Sequence, residues 1–425
     1  MRLRSSLRPL AGLLAALALA GCGGGGGAAS SSSNGGSPAT PGITLSALVN
    51  LSSPSGPAAI SHLVDAMVIG DHAVLRSDSS DASDPTHPST RFTIVDGQGN
   101  ASASIDYGYT LAAGYNGAWS MQALPNGAGF ALIQLQGGSK MFLFDAQAKL
   151  SGPAAGINLY EPSTASDGPS VYAADAAVDG NGVWVATTFK YPQTNGTAIY
   201  RIMLTKFDFS GKPLTPTGTL ATSTKVQSPI LAASAGALSL FWTDGTQPTL
   251  AYWAQGGGGP IQKAINTGTT RAALMPLALN GNGKLALVWG SGGATNGNLN
   301  AVALNTTGDA VVPTGAADWS GESLSSKWLG KRRGLMPGLD TGNGRLMVTD
   351  VVIDPAYSGD TILLADYTLN DGPLSAIVPQ MTTVRRTSPR TIDNGSMLRQ
   401  LVFSDHTLLL IGDADHVETA VVTRH

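Results

Sequence analysis

Two stretches of this chain repeat one another, and that repetition limits its fold more than any other feature. Residues 271–285 (RAALMPLALNGNGKL) and 332–346 (RRGLMPGLDTGNGRL) agree at eight of fifteen positions at an offset of 61 residues. Both run from Leu-Met-Pro through a short strand and a Gly-x-Gly turn into an alternating apolar strand, and a fixed period of this kind marks an array of like units. The turn recurs. Asn126-Gly127-Ala128-Gly129 precedes Phe130-Ala131-Leu132-Ile133, Asp179-Gly180-Asn181-Gly182 precedes Val183-Trp184-Val185, and simpler versions stand at Gly70-Asp71, Ala235-Gly236 and Asp405-His406. Each reads as a hairpin whose Gly and Asn residues accept positive φ at little cost. Gly70, Gly129, Gly182, Gly236, Gly283, Gly344 and His406 then mark seven units spaced 47 to 62 residues apart.

A second turn follows an apolar strand at the far end of these units: Asp96-Gly97-Gln98-Gly99, Asp145-Ala146-Gln147-Ala148, Asp208-Phe209-Ser210-Gly211, Asn305-Thr306-Thr307-Gly308 and Asn370-Asp371-Gly372. Every unit therefore reads strand A, Gly turn, strand B, variable loop, strand C, Asp/Asn turn, strand D. Composition agrees. Glu occurs only at 161, 322 and 418, whereas Asp, Asn, Gly, Ser and Thr abound, which favours turns and strands over helices. The last unit ends at strand C (419–423), and an unassigned apolar strand (43–49) precedes the first unit. Placing that N-terminal strand in the last unit removes both anomalies and leaves no exposed sheet edge. The expected fold is all-β: a seven-bladed β-propeller of four-stranded antiparallel blades over 43–425, closed by the N-terminal strand. Six or eight blades, a sandwich pair and a solenoid are the competing readings. The chain resembles bacterial β-propellers in general. It carries no repeated Gly-His…Trp-Asp pair, kelch di-glycine or Ser-x-Asp-x-Gly-x-x-Trp box that would place it in a subfamily.

The first residues are a targeting signal and stand outside the fold. Arg2, Arg4 and Arg8 precede a Leu/Ala run from Leu10 to Ala20 that is too short to span a bilayer, followed by Leu19-Ala20-Gly21-Cys22. This resembles the lipobox of bacterial lipoproteins. The resemblance implies a signal peptide over 1–21, removed before Cys22, and lipid on the Cys22 thiol and amine. Several acyl chains at one site give stable anchoring, at roughly 0.8 kcal/mol per buried CH₂. Gly23 at the next position leans toward the outer rather than the inner membrane. Cys22 is the only cysteine, which excludes intramolecular disulfides and Cys-based zinc sites in the folded part. Residues 22–42 are a Gly/Ser-rich tether reaching roughly 25 Å. Without the signal peptide the chain holds 22 Lys+Arg against 28 Asp+Glu, unlike a basic nucleic-acid binder.

Site candidates follow from the topology. A–B and C–D turns share one end of a propeller, and B–C and D–A loops share the other, where length and composition vary and function usually sits. The D–A loop over 314–334 carries Lys327, Trp328, Lys331, Arg332 and Arg333, and the next, over 378–397, carries Arg385, Arg386 and Arg390. Arginine forks recognise carboxylate or phosphate, and Trp328 can stack on a sugar. Against this, loop charges are commonly just solvated, and Arg332 aligns with Arg271 as a packing position of the repeat. The first B–C loop (77–91) places Asp78, Asp81 and Asp84 at every third residue near His87, oxygen ligands that suit calcium although the spacing departs from an EF-hand. No other cofactor is indicated. Trp184, Trp242 and Trp289 on successive strands B read as core between blades.

No HExxH pair or G-x-S-x-G elbow stands in the sequence, and its Gly-rich stretches are turns without a following helix. Three functional readings remain. The leading one is an envelope module that binds or scaffolds a protein or an anionic polymer. A second is a hydrolase or lyase acting on an exported sugar or lactone, which needs converging acids or a metal; Asp106 with Tyr107, Asp244, Asp340 and Asp350 are the acids available. A third is an assembly factor with no small ligand.

Overall fold

The computed structural model describes residues 43–51, 63–81, 84–107, 119–135, 139–159, 169–215, 218–225, 229–234, 237–243, 248–253, 260–266, 272–273, 279–281, 284–291, 298–304, 319–320, 322–323, 336–340, 345–352, 361–368, 380–385, 397–412 and 417–424. Two short N-terminal strands come first, β1 (Ile43–Leu45) and β2 (Val49–Asn50). The first four-stranded sheet is β3 (Leu63–Ile69), β4 (His72–Asp81), β5 (Asp84–Asp96) and β6 (Ala101–Asp106). The second is β7 (Trp119–Ala123), β8 (Gly129–Gln134), β9 (Lys140–Asp145) and β10 (Ile157–Asn158). The third is β11 (Ser170–Asp179), β12 (Gly182–Pro192), β13 (Ala198–Phe207) and β14 (Gly218–Ser223). The fourth is β15 (Ile230–Ser234), β16 (Ala237–Thr243), β17 (Pro248–Trp253) and β18 (Ile261–Asn266). The fifth holds β19 (Ala272–Ala273), β20 (Leu279–Gly281), β21 (Lys284–Ser291) and β22 (Asn298–Leu304). Next come β23 (Trp319–Ser320) and β24 (Glu322–Ser323). The sixth sheet is β25 (Met336–Asp340), β26 (Arg345–Val352), β27 (Thr361–Thr368) and β28 (Gln380–Arg385). The last is β29 (Met397–Val402), β30 (Thr407–Gly412) and β31 (Val417–Arg424).

Among the described residues these strands form seven sheets. Consecutive strands pair antiparallel within them, except that β19 and β20 of the fifth sheet both pair β21. The N-terminal segment supplies the outer strand of the last sheet: β1 pairs β31 with Ile43 opposite Arg424, and β2 pairs it with Val49 opposite Thr419. Between them the backbone N–H of Ser46 donates to the Val421 carbonyl and its Oγ accepts the Val421 N–H, both at 2.9 Å.

Burial explains which strand lies where. The second strands β8 and β30 are buried at every residue, because each is covered on both faces by neighbouring sheets. The fourth strands β6 and β14 hold no buried residue. First strands of successive sheets approach one another in the order β25, β29, β3, β7, β11, β15, β20, so they are the innermost. Core residues fill the interfaces between sheets. Leu75 and Val95 of the first meet Leu408 and Val417 of the last. Phe92 of the first meets Phe130 and Phe144 of the second, with ring centroids 5.1 and 5.0 Å away. Ile133 meets Val183 and Val185, and Ala186 meets Leu240 and Trp242. Sheets stacked face to face about their first strands are the architecture of a β-propeller.

The C–D turns share one chemistry. The carboxylates of Asp96, Asp145 and Asp208 each accept the amides two and four residues on, at 2.8–3.0 Å. Each turn then needs positive φ at its fourth residue, taken by Gly99 (85°), Ala148 (58°) and Gly211 (85°). The corresponding turns at Asn305–Gly308 and Asn370–Gly372 lie outside the described residues.

Three expected loops differ. Residues 77–91 are mostly strand, since the β4–β5 ladder continues to Asp81 opposite Asp84 and leaves a two-residue connection. Within 314–334, β24 is the fourth strand of the fifth sheet and β23 pairs parallel with β18, satisfying part of that strand's open edge. Arg385 ends strand β28 opposite Thr361 instead of standing in a loop.

Candidate functional site

The second and third sheets differ in length at one end, and the difference makes a pocket. Strands β8 and β12 both begin at the glycine of an A–B turn, but β8 has six residues and β12 eleven. Five extra residues carry the third sheet's B–C hairpin roughly 16 Å past its neighbour. Its face toward the second sheet therefore runs beyond anything β8 and β9 can cover. The resulting cavity of about 320 Å³ lies among Val185, Thr187, Phe189 and Tyr191 of β12, Met203, Thr205 and Phe207 of β13, and Ser139, Leu159 and Pro169 beside it. Ser139 and Leu159 border the second sheet's B–C and D–A connections, and the Leu159 N–H donates to the Ser139 carbonyl at 2.9 Å. The pocket thus sits at the variable-loop end. Among the described residues its lining is apolar and aromatic with four hydroxyls and no ionisable acid or base of catalytic type. Next to it the Arg201 guanidinium lies over the Tyr191 ring, 4.6 Å from the centroid.

A second cluster belongs to the innermost strands. Asp65 of β3 and Asp175 of β11 keep some accessible surface, yet protein surrounds their carboxylates on nearly every side. Each accepts the amide of its following residue, Ala66 or Ala176, at 2.9 Å. Each also accepts an amide from the next sheet's first strand: Met121 for Asp65, and Leu231, at 2.8 Å, for Asp175. Burial raises Asp65 above the ordinary carboxylate range despite the nearby Arg399 and Arg76. Burial likewise pushes Asp175 up to about 6; its two amide donors oppose the shift and the Asp65 charge adds to it. Arg76, opposite Asp65 in the β3–β4 ladder, is itself buried with its guanidinium 5.2 Å from the Trp119 ring centroid. These acids tie neighbouring sheets together near the axis. Sequence reasoning missed them. The signal was the pair Asp65-Ala66-Met67-Val68-Ile69-Gly70 and Asp175-Ala176-Ala177-Val178-Asp179-Gly180, an Asp five residues before the turn glycine in both units.

Of the acids named from sequence, Asp106 has a described partner of its own, as does the neighbouring Tyr107. Asp106 is on an outer strand, exposed, and ion-paired with Arg91 at 3.1 Å. Tyr107 is in the interface of the first two sheets, where its hydroxyl donates to the Ala148 carbonyl at 2.8 Å and accepts the Leu150 N–H at 2.9 Å. Asp340 ends β25 opposite Arg345, Asp350 stands in β26 opposite Leu363, and Asp244 lies outside the described residues. Neither Asp106 nor Tyr107 faces the axis, because both belong to the outer part of the first sheet. Trp242 is core, and Trp184 packs beside it while donating from Nε1 to Asp179 at 2.9 Å. Trp289 lies on β21, a second strand. Asp78 and Asp81 lie on β4 and Asp84 on β5, with Asp78 opposite Thr90. No group of three metal-ligating side chains occurs among the described residues. Cys22, Lys327, Trp328, Lys331, Arg332, Arg333, Arg386 and Arg390 lie outside them. No described helix is long and apolar enough to cross a membrane.

No family model matches the chain, and no curated protein matches it significantly in sequence. Solved structures do superpose. The β-propeller domain of the Trilobed protease from Pyrococcus furiosus gives a TM-score of 0.43 at 9% identity, covering 86% of this chain and 93% of that one. The polysaccharide lyase Uly1 gives 0.44 at 10% identity over 85% and 90%. Pyrococcus horikoshii acylaminoacyl peptidase gives 0.48 at 8% identity over 86% of this chain and 52% of that one, so the chain spans about half of the peptidase. Its strand order and the packing between its sheets make this chain an all-β propeller.

Proposed function

We propose that this protein is a lipid-anchored module of the bacterial envelope that binds a protein or anionic polymer through the variable-loop end of its propeller. The observation that carries the reading is the pocket between the second and third sheets, which lies at that end. Supporting it, Leu19-Ala20-Gly21-Cys22 supplies a lipid anchor, and residues 22–42 hold the propeller near a membrane, the outer one by the residue after Cys22. Lys327, Lys331, Arg332, Arg333, Arg385, Arg386 and Arg390 would add positive charge toward an anionic partner. In-cell crosslinking and recovery of the lipidated protein tests this beside two variants, Cys22→Ser and one with Lys327, Lys331, Arg332, Arg333, Arg385 and Arg386 neutralised. A discrete envelope partner that weakens with the loss of charge supports it. Recovery of no specific partner with any form contradicts it.

A second reading, turnover of an exported sugar or lactone, draws on Asp65 and Asp175, whose raised proton affinity is the kind found at catalytic sites. Screening sugars and lactones with the parent and with Asp175→Asn tests it. Turnover that Asp175→Asn leaves unchanged would remove these acids from the chemistry.

A further inference from the structure

Within the binding reading above, on which this inference rests, the pocket's chemistry narrows the ligand. Its floor is apolar: Leu159, Val185, Phe189 and Phe207 all have 6% exposure or less except Phe207 at 8%. Apolar walls of this kind reward a ligand that leaves water, at roughly 25 cal/mol per Å². Near the floor Thr187 and Thr205 are also buried, and a described charge stands at the rim.

That charge is Arg201. Its place follows from register: Arg201 is opposite Phe189 in the β12–β13 ladder, with Thr187 opposite Met203 and Val185 opposite Thr205. Directly paired residues project from the same face of a sheet, so Arg201 shares the face that lines the pocket. It stands one pair outward of Thr187 and Met203, toward the end of the hairpin. The side chain is exposed, and the Tyr191 ring under its guanidinium favours this position. Among the described residues no carboxylate pairs with it, so the planar fork keeps its donors for a ligand. A guanidinium's planar fork matches a carboxylate with two parallel hydrogen bonds.

We infer that this pocket binds a hydrophobic carboxylate, its apolar part between the second and third sheets and its anionic group on Arg201. A free organic acid and the C-terminal carboxylate of a peptide ending in an apolar residue share this chemistry. The volume, at the low end for small-molecule sites, suits one ring or a short chain.

The test uses the full chain carrying Cys22→Ser, which stays free of lipid, and calorimetric titration with four probes. These are 4-phenylbutyrate, its primary amide, and a pentapeptide ending in Phe with a free or an amidated C-terminus. The expected result is that at least one acid binds about tenfold or more tightly than its own amide. Arg201→Gln should erase that preference without changing the fold, since the side chain is exposed. Met203→Trp, which fills the cavity, should weaken acid and amide together, with circular dichroism reporting that the sheets persist. Preference for the small acid assigns the ligand to free acids, and preference for the free-terminus peptide assigns it to a protein end. Equal binding of acid and amide, a preference that survives Arg201→Gln, or no binding of any probe overturns the inference. A crosslinked envelope partner retained by Met203→Trp, with no probe bound, would sink the pocket's role and leave the module standing.

Discussion

His406 Nε2 lies 2.6 Å from the carbonyl oxygen of Gly97, joining the last sheet's A–B turn to the first sheet's C–D turn. The same link recurs one interface on, where His72 Nε2 lies 2.6 Å from the Ala146 carbonyl. In both, the preceding Asp holds Nδ1: Asp405 at 2.6 Å and Asp71 at 3.0 Å. Because a carbonyl only accepts, Nε2 is the donor in each contact. The Asp-His dipeptide at these turns is therefore a latch between sheets, and His406 latches sheets from the two ends of the chain.

His406 also stacks on Phe403 with ring centroids 4.7 Å apart, so its loss removes a hydrogen bond and a packed ring together. His406→Ala is expected to lower stability by about 1–3 kcal/mol, read from the midpoint of urea unfolding at constant slope. His406→Gln, which can still donate, should recover part of that. An unchanged midpoint for both variants would show that the latch carries no stability.

Gly99 and Gly70 separate conformational from packing cost. Both have positive φ, 85° and 63°. A Cβ on Gly99 would lie 2.5 Å from Thr419 Oγ1 across the seam to the last sheet, whereas one on Gly70 meets nothing within 4 Å. Gly70→Ala should cost about 1 kcal/mol from backbone strain alone, and Gly99→Ala about 2–4 kcal/mol because the seam must also shift. Equal losses in thermal or urea unfolding would mean that the seam yields freely.

The first A–B turn and three of the C–D turns were legible because their residues carry their own reasons: positive φ at Gly70 and Gly99, and Asx turns at Asp96, Asp145 and Asp208. The N-terminal strand was legible from a missing partner for β31. Asp65 and Asp175 were not, because a lone acid in an apolar strand does not say which neighbouring amide it will meet. The pocket arises from two hairpins of unequal length, and strand ends set by pairing are the least visible feature of a sequence. The first B–C segment was misread for that reason: its Ser, Asp and Thr look like loop, but the ladder begun at His72 opposite Asp96 carries it on as strand.

Asp175 makes stability depend on pH in a direction opposite to an ordinary paired acid. Its folded value, about 6, lies above the roughly 3.9 of an unfolded chain, so between the two the folded state binds a proton that the unfolded state releases. Stability contributed by that proton is present below pH 4 and is lost as pH rises through 6. Asp175→Asn stays uncharged and should gain relative to the parent at pH 7.5, by an amount on the order of 1–3 kcal/mol, and gain nothing at pH 4. Urea unfolding of both proteins at the two pH values checks this. The same difference at both would show that the carboxylate does not titrate in this window.

The binding account is tested most directly by where a partner touches the propeller. A photo-crosslinking phenylalanine analogue at position 191 stands beside the pocket, and one at Leu214, an exposed residue after the Asp208 turn, reports the opposite end. With the lipidated protein crosslinked in living cells, the account predicts a discrete adduct from position 191 and none from position 214. An adduct from position 214 alone, or the same pattern from both, would contradict it.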